Sequence, residues 1–249
     1  MSTAAAPRVS GAATAPAARI AGLDALRGIA IVAMTIYHFC FDLRYFGVTR
    51  ANFEHDPFWL AARSAILSSF LLIAGISMVL ARQSARSDAR WLRHAAVIAG
   101  AALLVSAASY VMFPRSYIWF GVLHAIAVSL VVARPFVDRP LAAAAVGAAV
   151  IAAGLAFSHA AFDNRVLGWL GFMTAKPVTE DYVPLFPWTG VLLIGIAAGH
   201  WLMRERFGPL APLGRVPAAL RWLGRHSLVD YLVHQPLLIG LLWLALRMR

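Results

Sequence analysis

From Leu23 onward the chain alternates long apolar runs with short polar ones. Seven runs stand out, at about 23–46, 59–81, 92–113, 117–134, 140–159, 184–203 and 227–246, each near the roughly 20 residues a helix needs to cross a hydrocarbon core. The pattern predicts an all-α, polytopic transmembrane helical bundle of about seven spans over residues 20–249. The fifth run contains AAAAVGAAV at 142–150, small residues that permit close helix packing. Residues 1–19 are rich in Ala, Pro, Ser and Thr without an apolar core and read as a disordered N-terminal tail.

Composition agrees that the solvent is lipid. Hydrophobic residues make up 61% of the chain and charged residues 13%, well below the roughly 25% charge of soluble domains. The net charge of +11 is therefore sorted by loop before any nucleic-acid partner is considered. Four segments hold fourteen of the twenty-two basic residues: the tail with the start of the first run, 82–94, 134–139 and 203–225. The alternate segments, 43–58, 114–116, 160–183 and the C-terminus, hold seven, and Arg63 lies inside the second run. The positive-inside rule then places the N-terminus in the cytoplasm and the C-terminus outside. Topology and anionic membrane lipids account for the charge, so no nucleic acid is expected. Cys40 is the only cysteine, which leaves no cysteine metal cluster, and no metal is expected.

Inside the first run lie Asp24, Arg27, His38 and Asp42. Each costs roughly 2.5–3.5 kcal/mol at mid-membrane, so such groups face a protein interior and mark function. Arg27 and His38 differ by about 20° in azimuth and about 16 Å in height. They share a face, with Asp24 one turn below Arg27 and Asp42 one turn above His38. Given the orientation, His38, Asp42, Arg63 and His124 are candidates for one outer cluster, while Arg27, His226 and His234 populate the cytoplasmic half. His226, Asp230 and His234 follow i, i+4, i+8 spacing in the last run, with Gln235 and Pro236 beside them.

The strings RIAGLDALRGIAIVAMTIYHFCFDLRYFGV at 19–48, FLLIAGISM at 70–78, FGVLHAIAV at 120–128, DYVPLFPWTGVLLIGIAAGH at 181–200 and LGRHSLVDYLVHQP at 223–236 together resemble the heparan-α-glucosaminide N-acetyltransferase catalytic-domain family in its short bacterial form. The interval from Arg27 to His38 is also similar to the Arg-x10-His signature of membrane acyltransferases that O-acetylate surface polysaccharides. Both resemblances imply an acetyltransferase that takes the acetyl group from cytosolic acetyl-CoA and gives it to a sugar or glycan across the membrane. They nominate different histidines. The lysosomal pattern implies a catalytic His55, about twenty residues before Gly75, and an asparagine at the position of His38. The polysaccharide pattern implies His38 itself.

Acyl transfer across a membrane requires an apolar-walled path for the pantetheine arm, and the stripe from Asp24 to Asp42 supplies such a wall. Asp24, Arg27, His226, His234 and Gln235 are assigned to the donor side, Arg27 for a phosphate. Arg63 could steady the oxyanion. A histidine then serves as general base or as acetyl carrier, with Asp42 and His124 beside it. The acceptor is expected on the segment 159–184, where Trp169, Asp181 and Tyr182, with nearby Trp188, combine flat apolar faces with hydrogen-bonding groups. Two other classes share some of these features. A transporter or flippase also uses polar stripes in a bundle, although no internal repeat is evident. A haem protein would use two histidines at matching depth, such as His38 and His124.

Overall fold

The computed structural model describes residues 20–83 and 88–248, so the tail at 1–19 lies outside the described residues. Every predicted span is a helix: α1 (Ala21–Tyr45), α2 (Pro57–Gln83), α3 (Asp88–Met112), α4 (Val122–Ala133), α5 (Pro140–Ala156), α6 (Leu185–Arg204) and α8 (Ser227–Arg247), with a short extra helix α7 (Ala218–Arg225) before the last. Five of these are long and apolar enough to cross a membrane, and α4 and α5 are shorter apolar helices. No strand occurs among the described residues, only an isolated bridge between Phe120 and Tyr182.

Local chemistry sets several boundaries. Asp56 accepts the Phe58 N–H at 2.8 Å just before α2, a side-chain cap for one of the helix's unpaired first-turn donors. Pro140 opens α5, where its missing N–H costs nothing. The α4 cap comes from far along the chain, since Asp181 Oδ2 accepts the Val122 N–H at 2.9 Å.

The core lies where α2, α4, α5 and α6 meet, around Leu71, Val79, Ala125, Ala143, Leu192 and Ile196. Between hydrocarbon-solvated helices, van der Waals fit rather than water expulsion drives packing, so small residues sit at the contacts. A Cβ on Gly75 would lie 2.2 Å from the Leu192 carbonyl oxygen, and one on Gly195 would lie 2.4 Å from that of Leu72. The α2–α6 backbones therefore touch. The Ala-rich run uses its small residues the same way, with Gly147 set against Gly190 of α6. Ser129 and Thr189 add a 2.8 Å hydrogen bond between α4 and α6. The apolar side chains left exposed on α8, such as Val229, Val233 and Leu241, form a lipid-facing surface.

Residues 205–226 decide how α8 meets α1. After α6 the chain passes through two 3-10 turns, Gly208–Leu210 and Pro212–Arg215, and into α7, which lies along the first two turns of α1. The fit is backbone on backbone: a Cβ on Gly28 would lie 2.0 Å from the Leu220 carbonyl oxygen, and one on Gly224 would lie 1.8 Å from that of Asp24. The helix breaks at His226 (φ −109°, ψ 21°) and α8 begins. Its start is thus beside the third turn of α1 rather than level with its base. Gly224 abuts Asp24, His234 meets His38 and Gln235 meets Asp42. Both numberings rise together, so α1 and α8 run parallel, as the first and seventh spans of an alternating bundle must.

Gly28→Val should lower the unfolding midpoint of detergent-purified protein by the equivalent of about 1–3 kcal/mol, the usual cost of overpacking. Gly100→Ala on α3, where an added Cβ meets nothing within 4 Å, should leave the midpoint unchanged or raise it slightly.

Candidate functional site

The seam between α1 and α8 gathers the polar side chains of both helices. His38 Nδ1 lies 2.6 Å from His234 Nε2, and the two rings lie edge to edge, with centroids 4.9 Å apart and planes 10° from parallel. One turn further along α1, Asp42 Oδ1 accepts a 2.7 Å hydrogen bond from Gln235 Nε2. Asp42 is 2% exposed, and its Oδ2 and the Oε1 of Gln235 have no hydrogen-bond partner among the described residues. Both are acceptors, so the group that satisfies them must bring donors. A buried polar atom without a partner costs about 1–3 kcal/mol.

This geometry corrects the depth read from the sequence. His234 and Gln235 were expected in the cytoplasmic half, but they stand level with His38 and Asp42. Counting residues from the start of α8 gave the wrong height because α7 and the turns before it occupy the base of α1 and displace α8 along it.

Below the imidazole pair a cleft of about 330 Å³ opens between α1 and α8. Ile31, Val32 and Ile36 form its apolar wall, Thr35 adds a hydroxyl, and Asp230 and His234 line it from α8. Asp230 Oδ2 is buried with no hydrogen-bond partner among the described residues. At the base of α1, Asp24 is held between Arg27 at 3.3 Å and Arg225 at 3.1 Å. Arg27 also donates to Ser77 Oγ of α2 at 2.6 Å. Two guanidiniums share one carboxylate, so this cluster at the base of α1 carries a net positive charge. Asp230 belonged to the helical stripe visible in the sequence, whereas Arg225 and Ser77 carried no local signal of their role.

The remaining candidates lie elsewhere. His55 is exposed in the α1–α2 loop, its Nδ1 3.3 Å from Asn52 Oδ1. His226, at the α7–α8 junction, is exposed and has its Nδ1 2.9 Å from the Trp222 carbonyl oxygen. His124 sits in a network of its own: Nδ1 accepts the Gly121 N–H at 3.2 Å, so Nε2 carries the hydrogen and donates to Ser106 Oγ at 3.1 Å. Both ring nitrogens are occupied by protein, and His38 turns to His234 rather than to His124. Arg63 is exposed on α2.

In the segment 159–184, Tyr182 donates to the Gly168 carbonyl at 2.6 Å and Trp169 Nε1 to that of Val166 at 2.7 Å. Trp188 packs against the core. Burial pushes the Tyr182 phenol up to about 12. It also pushes the Asp181 carboxyl up, against the opposing pull of the Val122 N–H and the charges of Lys176 and Arg63. These groups tie the loop to the start of α4. Among the described residues no group of three His, Cys, Asp or Glu is placed to hold a metal ion.

An all-helical bundle of apolar spans with a polar seam inside it defines an integral membrane protein. Residues 19–236 match the family described as heparan-alpha-glucosaminide N-acetyltransferase, catalytic, and the chain belongs to that family. It is therefore a membrane enzyme of the N-acetyltransferase type. No curated protein and no solved structure matches it.

Changing Gln235 to Leu strands the Asp42 carboxylate and should destabilise the protein by about 1–3 kcal/mol. Asp42→Leu strands the carboxamide at similar cost. The double variant should lose less than the sum of the two, and unfolding midpoints of all four proteins in one detergent measure that coupling.

Proposed function

We propose that the chain transfers an acetyl group from cytosolic acetyl-CoA to a hydroxyl or amino group of a sugar or glycan on the far side of a bacterial inner membrane. The observation that carries this reading is the α1–α8 seam: an apolar cleft lies below the imidazole pair, and the base of the same seam carries Arg27 and Arg225. The rise along α1 from Arg27 to His38 is about 16 Å, comparable to an extended pantetheine arm.

The parts have distinct tasks. Arg27 and Arg225 hold phosphate of the donor through charge-assisted hydrogen bonds, with Asp24 orienting both. The pantetheine arm lies along Ile31, Val32 and Ile36, and Asp230 Oδ2 accepts an amide N–H from it. The thioester then stands beside His38 and His234. Asp42 Oδ2 and Gln235 Oε1 accept hydrogen bonds from the acceptor, which fits a group rich in O–H or N–H. His38 takes the proton of the attacking group, and the sulfur leaves as the thiol of coenzyme A. Arg63 supplies positive charge at the outer end, while Asp181, Tyr182, Trp169 and Trp188 shape the loop that meets the acceptor. Basic residues favour the cytosol for the base of α1, where acetyl-CoA is found.

Purified protein in proteoliposomes, loaded with labelled acetyl-CoA inside and offered sugar acceptors outside, tests the reaction. His38→Ala should cut transfer by about 100-fold or more with little change in donor affinity, and His55→Ala should not. Loss of activity in His55→Ala alone would move the chemistry to the loop histidine. Arg225→Ala should weaken donor binding by about tenfold, as expected for loss of a hydrogen bond to a charged group. Acceptor transport without acetylation would replace the transferase by a transporter.

Orientation has its own test. In a Cys40→Ala background, cysteine at Ala51 or Ala175 should react with an impermeant thiol reagent on intact cells, and cysteine at Ala218 should not. The inverse pattern would put the donor mouth outside the cell and sink the proposal.

A further inference from the structure

The hydrogen bonds of the seam fix which nitrogen of each histidine carries a proton. His234 Nδ1 lies 2.8 Å from the Tyr231 carbonyl oxygen and 3.1 Å from that of Asp230. Carbonyl oxygens only accept, so Nδ1 must carry the hydrogen and share it between them. In a neutral ring the lone pair then sits on Nε2. That nitrogen faces His38 Nδ1 at 2.6 Å, and two lone pairs cannot meet at such a distance. His38 Nδ1 is therefore the donor, and the lone pair of His38 is left on Nε2, which has no hydrogen-bond partner among the described residues.

The carbonyls of Asp230 and Tyr231 come just before that of Leu232, which loses its helical N–H donor to Pro236 in α8. The second lone pairs of the Asp230 and Tyr231 oxygens remain able to accept from a side chain.

We propose that His234 is a positioning residue: it holds His38 in the tautomer whose Nε2 is the reacting nitrogen, and takes its own tautomer from the backbone of α8. The arrangement follows the general logic of a base oriented by a third group, with a neutral imidazole where a carboxylate often stands. A neutral partner keeps the resting pair uncharged within the apolar seam. Asp230 beside His234 and Asp42 one turn beyond His38 are the nearest groups able to balance a passing positive charge.

This step rests on the acyl-transfer reading. As the acceptor oxygen or nitrogen bonds to the thioester carbonyl carbon, its proton moves to His38 Nε2. The carbon–sulfur bond then breaks, the electron pair leaves with sulfur, and the sulfur takes the proton back from Nε2. His38 returns to neutral, and the Nδ1–H bond to His234 is kept throughout.

The tautomers can be read without any substrate. Protein labelled with ¹⁵N-histidine in lipid nanodiscs, held above the ordinary histidine pKa of about 6.5, should show both rings as the Nδ1–H form, with signals assigned by their loss in His38→Asn and His234→Asn. An Nε2–H form at His38 would overturn the proposal. In turnover, His234→Ala should lower kcat by about 100-fold and leave the donor KM within about threefold, the pattern of a loss felt in the transition state. His234→Gln, whose Oε1 can accept from His38 Nδ1, should recover at least about tenfold of that loss. Wild-type kcat in His234→Ala, or an equal loss in the Ala and Gln variants, would also overturn it. Should both tautomers be found as stated while wild-type protein transfers no acetyl group, the positioning role stands and the transferase reading falls.

Discussion

A carboxylate that is 2% exposed in a bundle surrounded by hydrocarbon needs a partner from another helix, and among the described residues the Asp42 side chain finds only Gln235. The rest of the seam depends on that pairing. Gln235 and His234 are adjacent on α8, so the register that brings the carboxamide to Asp42 also brings the imidazole to His38. Slipping α8 by one turn, about 5.4 Å, would part the carboxamide donor from its carboxylate acceptor and separate the two rings. The polar groups cost stability but specify one register, a use of buried polarity that apolar packing between Leu and Val faces cannot supply.

The register has a second determinant at the base of the bundle. Gly28 and Gly224 let α1 and α7 touch backbone to backbone, and Asp24 bonds Arg225 in the turn that follows. Because α8 starts immediately after α7, these contacts set its height before His234 is reached. The two determinants agree, and the cleft lies between them. The base of the seam is positive, the cleft walls are largely apolar, and the far end of the seam offers hydrogen-bond acceptors.

Much of the fold was legible in the sequence because it follows from local pattern. Seven apolar runs gave seven helices, and the four ionisable residues of α1 were recognisable as costly from their position alone. The seam was legible only on one side. His38 and Asp42 stood out, but their partners lie 196 and 193 residues away, and periodicity within a helix carries no information about its height against another. The polar connection at 205–226 read as a loop, whereas glycines at 28 and 224 make it a wedge against α1. His124 shows the opposite case. Its depth suggested a place beside His38, yet its nitrogens are taken by Gly121 and Ser106 in the turn it sits on.

His38 and His55 differ in a way that bears on which of them suits acyl transfer. His55 is exposed, with Asn52 beside it in a loop, and among the described residues no second helix fixes its ring. His38 is held by a hydrogen-bonded imidazole whose own ring is tied to backbone carbonyls, and it stands above the cleft between α1 and α8. Preorganised groups in a site from which water is excluded act far more strongly on developing charge than the same groups in solvent. Hydrolysis of the thioester is also the side reaction a transferase must avoid, and a nitrogen within the bundle meets less water than one in the loop. On those physical grounds the proposed chemistry belongs to the α1–α8 seam, with the α1–α2 loop above it as part of the rim.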